Sequence, residues 1–125
     1  MELVNGDSAE WEEVISGFHH KTLVVGDMMS MQAFKIEPTA EYGSKHNHAN
    51  AQIGYIIEGK GLYHVEYNED GTEISSEQEV SPGDSLYIPS GEYHNAINRG
   101  NETVSGIDVF CPPRADPSPK YFNED

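Results

Sequence analysis

Gly83-Asp84-Ser85-Leu86-Tyr87-Ile88-Pro89-Ser90-Gly91-Glu92-Tyr93-His94-Asn95-Ala96-Ile97-Asn98 is the stretch on which the fold reading turns. Two short runs of strand formers, Ser85 to Ile88 and His94 to Asn98, are separated by Pro89-Ser90-Gly91-Glu92. In that turn proline fixes φ and glycine tolerates the left-handed backbone. The same punctuation repeats in both directions. Ser81-Pro82-Gly83-Asp84 lies upstream, and Asn98-Arg99-Gly100-Asn101 precedes a strand predicted over Thr103 to Phe110. Asn68-Glu69-Asp70-Gly71 reads as a hairpin turn between Leu62 to Tyr67 and Thr72 to Val80, and Met28 to Ile36 reads as another strand. Turn signals about every ten residues predict an all-β sandwich or barrel, with no internal repeat.

Helix is nearly absent from this reading. Glu10 to Ile15 is predicted as one N-terminal helical turn capped by Ser8, and the four prolines from Pro112 to Pro119 forbid a helix there. A chain of 125 residues is expected to form one domain, residues 1–125. Its barrel is expected at about 22–111, after an N-terminal segment 1–21 and before a proline-rich arm 112–125 that either packs on a partner subunit or frays.

Twenty-two acidic and seven basic residues give a net charge of −15, which repels nucleic acid and anionic lipid. Neither is expected as a partner. Such a solvated acidic surface suits a high-salt host as well as it suits an ordinary acidic protein. No apolar run approaches the ~20 residues needed to cross a bilayer, and the opening residues are acidic where a signal peptide would be basic, so a cytoplasmic location is expected. Cys111 is the single cysteine, which rules out an internal disulfide and a thiolate metal cluster.

In His46-Asn47-His48 the imidazoles are one residue apart, so on extended backbone they share a face and can grip one ion. With six histidines in the chain, roughly 0.3 such pairs arise by chance, so the context has to decide. That context resembles the cupin superfamily. Gly83, Pro89, Gly91, His94 and Asn98 match its second motif, and His46, His48, position 52 and Gly59 match its first. Two departures are present: Gln52 stands where the family usually has glutamate, and Gly43 lies only three residues before His46. The resemblance implies a double-stranded β-helix, or jelly-roll, barrel holding one divalent ion through His46, His48, Gln52 and His94. Zinc, nickel, iron, copper and manganese all suit imidazole and amide ligands to some degree. Neutral ligands leave the ion's charge uncompensated, which favours holding an anionic substrate group such as a carboxylate or alkoxide and does not supply the anionic facial ligand set common in iron oxygenases. Gln52 either binds the ion or orients a histidine. By family analogy a homodimer is expected.

On the last strand Asp108 and Phe110 share a face, and Arg114 follows the proline turn. A buried carboxylate there must be paired, metal-linked or functional, and Arg114 is its candidate structural partner. The pairing of HNHANAQ at 46–52 with DVFCPPR at 108–114 resembles the KdgF type of cupin, which linearises 4,5-unsaturated uronates in pectin and alginate breakdown. In that type glutamine also replaces the glutamate. The resemblance runs from about Met28 to Arg114 and implies roles in activity for Asp108, Phe110 and Arg114. Asp108 would move a proton, Arg114 would pair with the carboxylate of a small sugar-acid substrate, and Phe110 would shape the pocket. Ala49-Asn50-Ala51 departs from the proline, histidine and glutamate common there. A metal-dependent dioxygenase, a non-catalytic sugar-acid binder and a structural metal site are the alternatives. His19 and His20 read as solvated, His64 as either inward near the ion or satisfied elsewhere, and Tyr55, Tyr63, Tyr67, Tyr87 and Tyr93 mostly as core or interface.

Overall fold

A computed structural model describes residues 1–38, 40 and 47–114. Among them nine strands follow in chain order: β1 Glu12–Ile15, β2 Phe18–Val25, β3 Ser30–Ile36, β4 Ala51–Glu58, β5 Gly61–Glu69, β6 Thr72–Val80, β7 Ser85–Ile88, β8 Tyr93–Ile97 and β9 Val104–Cys111. Six form a sheet ordered β1-β2-β3-β9-β4-β7, and three form a second ordered β6-β5-β8. All pairings are antiparallel. The all-β expectation therefore holds. Phe18, Phe34, Ile36, Ile56 and Val104 of the large sheet meet Val80 and Ala96 of the small one in a single core.

The turns follow from residue chemistry. Glu69 pairs with Thr72, leaving Asp70-Gly71 as a two-residue loop. Both loop residues have positive φ, 51° and 81°, as a type I′ hairpin requires. Asn68 Oδ1 accepts from Gly71 N at 3.0 Å and closes it.

Two expectations are corrected at the N-terminus. Glu12–Ile15 is a strand and not a helical turn, and the large sheet takes in residues well before position 22 because β1 pairs with β2 and β2 with β3. Long-range pairing outweighs the weak local preference of a short acidic segment. Of the arm expected from 112 onward, only 112–114 lie within the described residues.

The inner face of the large sheet is graded. Strict alternation turns Ser30, Gln32, Phe34 and Ile36 of β3 inward, and Val104, Gly106, Asp108 and Phe110 of β9. Register then places Ile36 beside Val104 and Phe34 beside Gly106 at one end, and Gln32 beside Asp108 and Ser30 beside Phe110 at the other. β4 continues these rows with Ile56 beside Gly106, Gly54 beside Asp108 and Gln52 beside Phe110. One end of the barrel is apolar filling, and the other is a polar recess.

Glycine is demanded where these rows crowd. A Cβ on Gly106 would lie 2.2 Å from Tyr55 O and 2.8 Å from the Phe34 ring. Gly106→Ala should therefore lower stability by about 1–3 kcal/mol, read as a lower urea midpoint at unchanged slope. An unchanged midpoint would contradict the β3–β9–β4 register.

Candidate active site

The polar recess is lined by His20, Gln32, Gln52, Tyr63, His94, Asp108 and Arg114 above an apolar floor of Phe18, Phe34, Ile36 and Ala96. Its residues come from β2, β3, β4, β5, β8 and β9 and from the turn after β9. His46 lies outside the described residues.

His48 and His94 are brought together by the Pro89–Glu92 turn. Gly91, at φ 81°, donates its N–H to His48 O at 2.9 Å, and Asn47 Nδ2 donates to Gly91 O at 3.1 Å. The chain then enters β8, and the two rings stand edge to face with centroids 5.0 Å apart. Each ring is oriented by the main chain. His48 Nδ1 lies 2.8 Å from Asn50 O and His94 Nδ1 lies 2.9 Å from Glu92 O. A carbonyl only accepts, so each Nδ1 carries the hydrogen and each Nε2 the lone pair. Burial and nearby positive charge also hold the rings neutral: His94 is lowered to about 4, chiefly by burial, and His48 is lowered by burial and Arg114. Neutral, buried imidazoles with oriented Nε2 lone pairs fit a divalent ion of the borderline class. The Gln52 amide approaches His48 on one side and Asp108 on the other, so it stands at the junction of the expected metal ligands and the expected proton carrier.

Asp108 is 5 % exposed, and its Oδ1 makes no hydrogen bond to any described residue. Burial raises its carboxyl to about 7; Gln52, Arg114 and Gln32 all favour the charged form without overcoming that effect. Gly54 leaves the carboxylate its space, since a Cβ there would lie 3.0 Å from Oδ1. Phe110 packs on both halves of the site, with its centroid 5.7 Å from that of His48 and the Arg114 guanidinium 4.8 Å above its ring.

Arg114 is buried although it lies just past the last strand. Its N–H donates to Ser30 Oγ at 2.7 Å. Asn50 fixes the preceding turn, donating from Nδ2 to Pro112 O at 2.6 Å and to Pro113 O at 3.3 Å. The same residue's carbonyl holds His48. Asn50 thus ties His48 to Arg114, at a position where the chain departs from the KdgF pattern.

His20 is a correction. The sequence reading placed it in solvent, yet it is 6 % exposed, and burial followed by the charge of Arg114 lowers it to about 3. Phe18 and His20 share the inward face of β2. That Phe-x-His alternation, just before the β-formers Thr22 to Val25, was the available signal. Gln32 was also missed, although its strand was expected over Met28 to Ile36, because only the register with β9 sets it beside Asp108. His19 points outward, 2.5 Å from Glu37 and 3.9 Å from Glu13. Among the described residues this trio is the grouping of His, Cys, Asp or Glu side chains compact enough to hold an ion, but it lies on the outer surface and reads as an ion-paired cluster. His64 takes the second of its two readings, 2.9 Å from Glu66 and 3.7 Å from Glu77. Tyr63 lines the recess, whereas Tyr55 and Tyr87 are exposed and not core.

Asn50→Ala removes both donors to the proline turn and should cost about 1–2 kcal/mol in urea unfolding. Asn50→Asp should cost more, because a carboxylate would face two carbonyl oxygens. A fully stable aspartate variant would contradict the arrangement.

A family model described as "Cupin domain" matches residues 32–110. Acireductone dioxygenase 1 of Coprinopsis cinerea is 31% identical over 74 residues, 59% of this chain and 40% of that protein, so the chain spans less than half that relative's length. KdgF from Halomonas sp. superposes with a TM-score of 0.73 at 24% identity, covering 90% of this chain and 96% of that one. The polyketide cyclase RemF from Streptomyces resistomycificus gives 0.69 at 22% identity, covering 93% and 82%. At these identities the structural likeness is one of fold.

Proposed function

This chain belongs to the cupin family, and we propose that it is a metal-dependent enzyme that opens the ring of 4,5-unsaturated uronates to linear 5-keto-4-deoxyuronates. One observation carries the reading: Asp108, a carboxyl held near neutral pH, shares a buried recess with His94, Gln52 and the Arg114 guanidinium. A carboxyl poised there is suited to take up and return a proton. The likeness to KdgF in fold, and the shared glutamine, aspartate, phenylalanine and arginine positions, support the same reaction class.

His46, His48, His94 and Gln52 would hold the ion, which when bound supplies a Lewis acid for substrate oxygens. The chain's own groups do the rest. Arg114 pairs with the substrate carboxylate, on a bed fixed by Phe110, Ser30 and Asn50. Asp108 takes the proton of the anomeric hydroxyl as the bond from the anomeric carbon to the ring oxygen breaks. That carbon becomes an aldehyde, and the ring oxygen leaves as an enolate conjugated with the C4–C5 double bond. Asp108 then returns the proton to C4, giving the ketone with no redox change. The apolar floor keeps water from the enolate.

Loss of the conjugated ultraviolet absorbance of 4,5-unsaturated galacturonate tests the reaction. Chelation should abolish it, and Asp108→Asn should slow it at least ~100-fold with metal content unchanged. Unchanged turnover in that variant would remove the proton-transfer step. The partial match to an acireductone dioxygenase supports a second reading, metal-dependent oxygen chemistry, in which substrate loss would consume oxygen stoichiometrically.

The pH dependence has a defined sign. As a base Asp108 must be ionised, so kcat/KM should rise with pH to a plateau, with the limb below about 7 in the metal-loaded enzyme because a nearby cation favours the carboxylate, and Asp108→Asn should lack that limb. Stability runs the other way. The native state holds this proton more tightly than the unfolded chain, so the associated stability is complete below about 3.8 and lost as pH rises through about 7. The buried His94, lowered from 6.5 to about 4, destabilises the fold in the opposite direction, as pH falls below 6.5. In chelated protein, urea titrations of wild type and Asp108→Asn should therefore diverge as pH rises from 4 to 8, with the variant becoming the more stable.

A further inference from the structure

We propose that Gln32 is a ligand-recognition residue that reads a neutral hydroxyl group, so that the recess selects hydroxylated acids over plain carboxylic acids. Gln32 is 1 % exposed and among the largest fully buried side chains. Neither Oε1 nor Nε2 makes a hydrogen bond to any described residue. The amide lies beside Asp108, near enough to favour its charged form but without a hydrogen bond of ordinary length. β3 alternation aims the side chain into the recess that also holds His20, Asp108 and Arg114.

An amide buried with no more than a long approach to Asp108 among the described residues destabilises a fold by about 1–3 kcal/mol, and an apolar side chain of the same length would be the more stable choice. An amide kept in that position has its partner in whatever enters the recess. Its chemistry says which kind of group. Gln32 offers one acceptor and two donor hydrogens and no charge. A carboxylate only accepts and would leave Oε1 unmatched, whereas a hydroxyl both donates and accepts. The carboxylate has its own cation in Arg114, which follows β9 and is anchored at Ser30, one inward position along β3 from Gln32. The two side chains together describe a ligand with an acid group at one position and a hydroxyl at another. This deepens the uronate reading and rests on it for the assignment of the carboxylate to Arg114, but not for the hydroxyl.

Gln32→Met preserves length and removes both hydrogen-bonding groups. Calorimetric titration of the full-length protein with D-galacturonate and with tetrahydropyran-2-carboxylate, the same ring and acid without hydroxyls, separates the two contributions. Wild type should bind galacturonate more tightly. Gln32→Met should weaken galacturonate at least tenfold and leave tetrahydropyran-2-carboxylate within twofold, with a thermal midpoint equal to or above wild type. Gln32→Leu should show the same split and serves if the methionine variant folds poorly. Wild type binding both acids alike or neither, equal weakening of both in the variants, or no weakening of either, as expected if Gln32 is satisfied only by water, would each overturn the proposal. Discrimination in binding without turnover of 4,5-unsaturated galacturonate would sink the reaction and leave this inference standing.

Discussion

Holding the Asp108 carboxylate inside a protein barrel is the constraint around which the rest of the site is arranged. Its inward direction follows from β9 alternation, and register surrounds it with Gln32 on one flank and Gly54 on the other. Transfer of an ionised carboxylate into an apolar environment is so unfavourable that the group shifts its pKa instead, as the rise to about 7 records. The space left by Gly54, the neutral amides and the charge of Arg114 each ease that burial without cancelling it. A carboxyl held near its titration point is able to exchange a proton.

The apolar end makes this possible. Phe18, Phe34, Ile36, Ile56 and Val104 close one end of the barrel and supply burial that offsets the polar end. Grading along β3 and β9, rather than a separate lobe, lets a chain of 125 residues carry both a core and a site. Each inward position is thus committed to one or the other, and substitutions on these two strands divide by row. Those at Phe34 or Gly106 act on folding, and those at Gln32 or Asp108 act on the recess.

Much of this was legible before the fold was known. Asp70-Gly71, Gly83 and Gly91 announce turns because few other residues accept positive φ, and the turns fix the ends of β6 and β7 as expected. Glycine and proline spacing likewise marked His94 as special. β1 and β2 escaped because their residues are acidic, cationic and histidine-rich, and become strands only through pairing, β2 with β3 and β1 with β2. With β2 unread, the inward face that carries His20 had no reason to be suspected. Gln32 sat in a strand that was read, but a glutamine among hydrophobics looks like an ordinary surface residue until register sets it beside Asp108. Asn50 needs still more, since its role depends on Pro112 and Pro113, sixty-two and sixty-three residues away. Local chemistry predicts turns; only long-range register predicts neighbours.

Charge sets the remaining condition on function. A chain with a net charge of −15 attracts divalent cations and repels anionic substrates at long range. Any sugar acid reaching the recess does so against that field, so its capture must depend on short-range contacts. Arg114 is the buried cation available among the described lining residues, and its charge is felt by His20, His48, His94 and Asp108. Because Asp108 is held near its titration point, the recess can admit an anion without first confronting a permanent negative charge. Salt screens the outer repulsion within a Debye length of about 8–10 Å while leaving the buried contacts nearly intact. Rising ionic strength should then favour entry of an anion more than it weakens binding, the opposite of the behaviour expected where a basic surface steers the ligand.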